Sequence, residues 1–416
     1  MTDAIFGGTE GSGADILERF GNDLNAAARR GDLEPVRCRD AEIARIIDIL
    51  LRQTKHNPAL VGGAGVGKTA LAEGLAQRIV AGDVPAALRD VRIIALDHVA
   101  LLAGTMYRGQ YEERVRRLIE AVSNDPDVIL FVDEMHNLIG QGTAMGVAMD
   151  AANMLKPALV REDMRVIGAT TAAEYERWIK GDPALERRFQ PVLVRELTHE
   201  EAMEVLKARR RRLEHHHAVA IADDALQAAL VLTDKFVTDR AQPDKSIDVL
   251  DEACAHAQAT ATLPPELEKV VNERRRVDAA IRRRLARGEK LDGRTDAGLG
   301  GQKEEDPIDV FAREIGPALE RIGAEIDRIF GNAERRNDGT TERKDGAAAS
   351  SGPSARGAAG AGSGSAVPPK ETLLQRRDRL DQELRRGLEQ LGVVVRGADV
   401  ARAVSAAVGK RIEWTA

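Results

Sequence analysis

Gly62-Gly63-Ala64-Gly65-Val66-Gly67-Lys68-Thr69 fills the eight positions of a phosphate-binding loop, with Ala70 directly after it. Glycines let successive backbone N–H groups converge on phosphate oxygens, and a helix starting at the loop's end adds partial positive charge. In such a loop Lys68 reaches the β- and γ-phosphates and the Thr69 hydroxyl ligates magnesium. A second pair lies 65 residues beyond Lys68, where Val128-Ile129-Leu130-Phe131-Val132 ends in Asp133-Glu134. Many buried strands end in an acid. Two adjacent acids downstream of a phosphate loop have a narrower use: Asp133 holds magnesium through water, and Glu134 orients and polarises the attacking water. The two stretches together describe a site for ATP and Mg2+.

The elements around them must deliver these groups to one place. Asn57 to Val61 reads as a short buried strand before the loop, and Ala70 to Val80 as a helix after it. Val91 to Leu96, Val128 to Val132 and Arg165 to Ala169 are further strands, the last ending at Thr170-Thr171. Strands alternating with helices imply a mostly parallel sheet with ligands at its carboxyl ends, where Asp133, Glu134 and Thr171 all fall. Upstream, Asp40 is placed to cap a helix whose Ile43, Ile46, Ile47, Leu50 and Leu51 share a face. From Thr198 to about Ala261 the pattern is helical throughout, as Ala202–Leu213, Asp223–Phe236 and Ser246–Ala261. Arg209 to Arg212 and His215 to His217 read as a solvated face of the first of these, since consecutive histidines on a helix point apart and cannot easily share an ion.

Beyond 261 the composition changes. Leu267, Val270, Val271, Val277, Ile281 and Leu285 mark an Arg-rich amphipathic arm, and Ile308 to Ile329 a second stretch broken at Gly316-Pro317. Residues 333–369, rich in Gly, Ala, Ser and charge, read as a disordered linker. Leu373 to Leu391 and Ala398 to Ile412 give two closing helices before Trp414. The net charge of −6 disfavours wholesale nucleic-acid binding. Two distant cysteines, Cys38 and Cys254, argue against a disulfide framework and fit a reducing, cytoplasmic compartment. No segment has the length of a membrane span, and Met1 to Gly13 lacks the apolar run of a signal sequence.

Residues 16–261 resemble the first ATPase module of the ClpB/ClpC-type AAA+ unfoldases. The likeness runs through Arg39-Asp40, the phosphate loop, Tyr107-Arg108-Gly109-Gln110-Tyr111-Glu112-Glu113-Arg114, Phe131 to His136, Met149 to Asn153, Gly168 to Thr171, Ala184 to Phe189 and Pro243 to Asp248. It implies an α/β fold, an AAA+ P-loop NTPase with a parallel-sheet large subdomain (16–196) behind a flexible N-terminus (1–15), and a helical small subdomain (197–261). A middle-domain-like helical arm (262–332), the low-complexity linker (333–369) and C-terminal helices (370–416) complete the division. The resemblance further implies ATP bound between the subunits of a homo-oligomeric ring, a hexamer. In it Arg187 and Arg188 serve as arginine fingers and Thr171 as the polar sensor beside the attacking water. Val36, Arg37, Pro243 and Asp244 line the nucleotide pocket. Tyr107, with Arg108 and Gly109, forms an axial-pore loop gripping a polypeptide client, and Gly140 to Gly146 a second one.

Three departures stand out. Arg37-Cys38 replaces the family's apolar-plus-glycine pair beside the adenine pocket, placing Cys38 there as an exposed thiol. Met106 stands where lysine is common. The sequence also lacks the amino-terminal substrate domain and a second phosphate loop, so an unidentified partner or adaptor is expected and direct docking of a ClpP-type peptidase is not. Three activities remain open. The one favoured by Tyr107 is an ATP-driven protein remodeller threading polypeptide through a single ring. The alternatives are an ATP-gated assembly factor of a secretion or defence system, and a nucleic-acid motor using Arg274-Arg275-Arg276 and Arg282-Arg283-Arg284.

Overall fold

The computed structural model describes residues 13–105, 108–136, 157–158, 164–289, 291 and 372–415, with no side-chain description for 13–15 and 108. The nucleotide-site residues grow from a six-stranded sheet: β1 Gly21–Asp23, β2 Asn57–Val61, β3 Arg92–Leu96, β4 Val128–Val132, β5 Arg165–Thr170 and β6 Phe189–Leu193, in the order β1-β3-β4-β5-β2-β6. Only β1 runs antiparallel to its neighbour; every other pair is parallel. β2 and β4 are buried at every position, as parallel strands covered on both faces must be. Strand alternation splits β4 between two cores. Val128, Leu130 and Val132 face one side with Phe20, Val115 and Leu118; Ile129 and Phe131 face the other with Ile46, Leu71 and Leu75.

The helices of this large subdomain are α1 Gly13–Phe20, α2 Leu24–Arg30, α3 Asp40–Leu50, α4 Lys68–Ala81, α5 His98–Leu102 and α6 Arg108–Ser123. Asp40 does not cap α3; it is the first helical residue, Arg39 occupies the cap position, and the Asp40 carboxylate pairs with Arg78 of α4 instead. α4 starts at Lys68, directly on the glycine loop, and ends at Gly82, whose φ of 75° accommodates the left-handed cap.

The small subdomain contains α7 His199–His217, β7 Ala220–Ile221, α8 Asp223–Phe236 and α9 Asp244–Thr260. α7 opens with a capping box between Thr198 and Glu201. α10 Pro265–Ala286 follows, then α11 Leu373–Leu391, β8 Val394–Val395 and α12 Gly397–Val408. β8 pairs parallel to β7, and Val395, Val400 and Val404 lie in one core with Leu226, Leu230 and Leu250. The lid is therefore completed from the far end of the chain. α12 ends at Val408 rather than Ile412 because Gly409 (φ 71°) turns the backbone.

The expected solvated face of α7 is present at Arg211, Arg212 and His216, which are exposed, while Arg209, Arg210 and His215 are half-buried and His217 is buried. Asp381 of α11 accepts from His215 Nε2 at 2.9 Å, from Arg211 Nε at 3.0 Å and from the buried Arg274 of α10. Arg210 pairs with Glu214, and Arg212 reaches Glu34 at 2.7 Å. His217 is buried, with Nε2 2.8 Å from Asp251 Oδ1 and Nδ1 3.0 Å from Gln258 Oε1. The basic run thus joins α7 to α10, α11 and the large subdomain. Among the described residues no helix is long and apolar enough to cross a membrane.

Candidate functional site

The glycines of the loop do what their spacing requires. Gly65 and Gly67 have φ of 81° and 88°, left-handed values that other residues adopt only with strain. A Cβ on Gly62 would sit 2.5 Å from the Val194 carbonyl, and one on Gly65 2.9 Å from Asp244 Cβ. Lys68 Nζ donates to the carbonyls of Gly63 at 2.8 Å and Gly62 at 3.1 Å. Burial pushes the Lys68 pKa down, opposed by the carboxylates of Asp133, Glu174 and Glu134. The Thr69 hydroxyl donates to Asp133 Oδ2 at 2.6 Å, joining the two halves of the site across adjacent elements.

Asp133 and Glu134 leave the end of β4 as read from the sequence. Glu134 takes φ 48°, uncommon for a side-chain-bearing residue, and its N–H is held by Asp133 Oδ1 at 2.9 Å. His98 Nε2 lies 3.1 Å from the Asp133 carbonyl. Thr171, just past β5, caps the short helical turn Ala172–Glu174; its hydroxyl donates to Glu174 Oε2 at 2.8 Å.

These groups open on one cavity of about 520 Å³, lined by Ala64 to Ala70, Asp133, Glu134, His136, Thr170, Thr171 and Glu174. Val36 and Arg37 of the large subdomain and Leu197, Arg209, Pro243, Asp244 and Ile247 of the lid form the rest of its lining. A direct backbone bond, Ala241 N–H to the Ala64 carbonyl at 3.2 Å, holds lid against loop. Val36, Arg37, Pro243 and Asp244 line this wall with Ala64 to Ala70, while Gly62 and Gly63 lie behind it. Cys38 is not on it: it sits half-buried at φ 58° with Sγ 3.9 Å from the Glu201 carbonyl, and burial raises its pKa. The exposed thiol expected beside the base is therefore corrected, because the left-handed backbone turns Cys38 toward the lid core.

Several wall residues escaped the sequence reading. Arg39 is buried, its guanidinium donating to the Val66 carbonyl at 2.6 Å and the Arg195 carbonyl at 3.0 Å, so it braces the phosphate loop from behind. Glu73, Arg209, His136 and Glu174 also line the cavity. Burial raises the Glu73 pKa against the pull of Arg209. Arg39 and His136 carried a signal, their places in Arg39-Asp40 before α3 and in Phe131 to His136 at the end of β4.

Arg187 and Arg188 follow the turn Pro183–Glu186, and neither lines the cavity of its own chain. Arg187 is exposed, while Arg188 is half-buried and engaged within the chain. Arg108 and Gly109 belong to the first turn of α6 rather than a loop. Tyr107 and residues 140–146 lie outside the described residues.

The donor set fits a magnesium nucleotide. Lys68 spends its charge on neutral carbonyls, the Thr69 hydroxyl and Asp133 carboxylate are already adjacent, and the cavity begins at the N-terminus of a 14-residue helix.

Comparison with known proteins agrees. Residues 58–197 match the family described as ATPases associated with various cellular activities (AAA), and residues 198–296 the AAA lid domain. The chain is 54% identical over 255 residues to the chaperone protein ClpB of Aquifex aeolicus, covering 61% of this chain and 25% of that protein. It is 48% identical over 273 residues to the ATP-dependent Clp protease ATP-binding subunit ClpC of Staphylococcus epidermidis, covering 64% and 33%. Among solved structures, the S. cerevisiae Hsp104–ADP complex superposes with a TM-score of 0.55 at 37% identity, over 65% of this chain and 40% of that one. The extended Hsp104–casein complex gives 0.54 at 34%, over 68% and 54%. The chain thus spans a quarter to a third of the length of these curated relatives.

Proposed function

The chain belongs, through residues 58–296, to the AAA ATPase family and carries a nucleotide-binding module of the ClpB/ClpC kind, and from that premise we propose that it is an ATP-driven protein-remodelling motor. The observation that carries this is the single cavity that gathers Lys68, the Thr69–Asp133 pair and Glu134 under the lid. Thr69 and Asp133 hold Mg2+, which supplies charge neutralisation on the phosphates when bound. Lys68 leaves its loop carbonyls for the β- and γ-phosphates. Glu134 holds a water and takes its proton as the water oxygen bonds to the γ-phosphorus and the bridging oxygen departs with ADP. Thr171 orients that water. Val36, Arg37, Pro243 and Asp244 enclose the base end.

A finger must reach the γ-phosphate, and Arg187 and Arg188 lie off their own cavity. That arrangement supports a homo-oligomeric ring, a hexamer, in which the exposed Arg187 completes the site of the neighbouring subunit. A polypeptide client, gripped by Tyr107, Arg108 and Gly109, is what the ring would pull. Hsp104, a relative of this chain, has been solved in complex with casein, a polypeptide. Hydrolysis measured against protein concentration tests the proposal: the specific rate rises as rings assemble, and Glu134→Gln lowers it roughly a hundred- to ten-thousandfold while still binding ATP. A rate per subunit that is flat down to monomeric dilution would refute the shared site.

A further inference from the structure

Four donors converge on one oxygen at the wall of the nucleotide cavity. Glu174 Oε2 accepts from the Thr171 N–H at 3.0 Å, the Thr171 hydroxyl at 2.8 Å and the Thr170 hydroxyl at 3.1 Å. His136 Nδ1 approaches the same oxygen to 3.0 Å, yet it is buried without a well-formed hydrogen bond. The distance is right and the angle is wrong. A carboxylate oxygen offers about two lone-pair directions, so these donors compete and His136 is the one excluded. The Thr171 hydroxyl has a single hydrogen, and Glu174 holds it. As the sensor proposed above, Thr171 cannot donate toward nucleotide or water until that bond is given up.

We propose that Glu174 is a positioning residue of the ATPase site, whose Oε2 passes from the Thr171 hydroxyl to the His136 imidazole when a bound triphosphate recruits that hydroxyl. The inference rests on the nucleotide reading of the cavity. Release of the Thr171 hydroxyl cuts the bonded donors on Oε2 from three to two and relieves the crowding that keeps His136 Nδ1 out, so with the proton on Nδ1 the cost of freeing the sensor is offset by satisfying a buried donor. The Thr171 N–H keeps its bond to Glu174 throughout, so the short helical turn stays capped while the hydroxyl turns. Glu174, Thr171 and His136 all line the cavity with Asp133 and Glu134, so the exchange happens within the site itself.

Steady-state hydrolysis by the full chain tests this with variants that keep the fold. Glu174→Gln retains a carbonyl for the cap, since capping boxes accept either residue. It is expected to lower kcat about tenfold while leaving KM for ATP within about twofold and the Tm unchanged, the pattern of an interaction made only on the way to reaction. His136→Ala is expected to reproduce the loss, and His136→Asn, which places an amide N–H where Nδ1 stood, to restore most of the rate. A purely structural residue would move the Tm and would not distinguish Asn from Ala. A wild-type kcat in Glu174→Gln, or a His136→Asn variant no better than His136→Ala, overturns the role of Glu174 alone. A wild-type chain that neither binds nor hydrolyses ATP overturns the nucleotide reading and this role with it.

Discussion

The two ends of the nucleotide cavity are built on different principles. At the phosphate end, the working groups sit on backbone that has little freedom: left-handed glycines, a helix N-terminus and the ends of buried parallel strands. Lys68, Thr69 and Asp133 are already bonded to one another's surroundings at 2.6–3.1 Å. At the lid end, the wall is made of side chains brought from α4, α7 and α9, with Glu73, Arg209 and Asp244 half-buried among one another. Burial raises the pKa of both acids, so this end holds charge less comfortably. On the proposed reading, chemistry falls to the end built on constrained backbone, and nucleotide affinity is set at the end built from side chains of three helices.

Variants at the two ends should therefore separate kcat from KM. Lys68→Ala removes a charge aimed at the reacting phosphates, and kcat/KM should fall roughly a hundred- to a thousandfold in a steady-state assay. A loss below tenfold would break the comparison. Arg209→Ala, at the lid end, should raise KM within about tenfold and leave kcat alone, an exchange worth at most about 1.4 kcal/mol. A matching fall in kcat would mean that the lid end takes part in the reaction. The smallest effect is expected at Cys38, which pays a left-handed conformation on the segment joining the two ends. Cys38→Gly should relieve that strain and raise stability by up to about 1 kcal/mol, seen as a higher Tm with activity intact.

The phosphate end was legible in the sequence because its geometry is local. Gly62 to Thr69 announces its conformation through its own glycines, and a run of five apolar residues ending in Asp133-Glu134 downstream of such a loop reads as a buried strand delivering acids. The cavity's other residues were not legible for a different reason. Glu174 acts through an oxygen shared by Thr170, Thr171 and His136, and no spacing rule announces a shared acceptor. His215 and His217 read as solvated because the partners that engage them lie on other elements, Asp381 on α11 and Asp251 on α9, far along the chain. A polar residue is read as exposed until the segment covering it is known. The same distance hid the place of β8 and α12 in the lid core, although their amphipathic pattern was plain.

That last arrangement has a consequence for how the molecule comes into being. Every strand of the six-stranded sheet lies within residues 21–193, so the large subdomain can close as soon as that length has left the ribosome. The lid cannot. The Gly397 N–H bonds the Asp224 carboxylate at 2.9 Å across a sequence separation of 173 residues, and Val400 and Val404 fill the core between α8 and α9. During synthesis those two helices wait with their apolar faces uncovered, a long-range contact of the kind that slows folding. The nascent chain is thus ready to cradle a nucleotide well before it has a finished cover to shut over it, and the interval between the two is when it most needs protection from its neighbours.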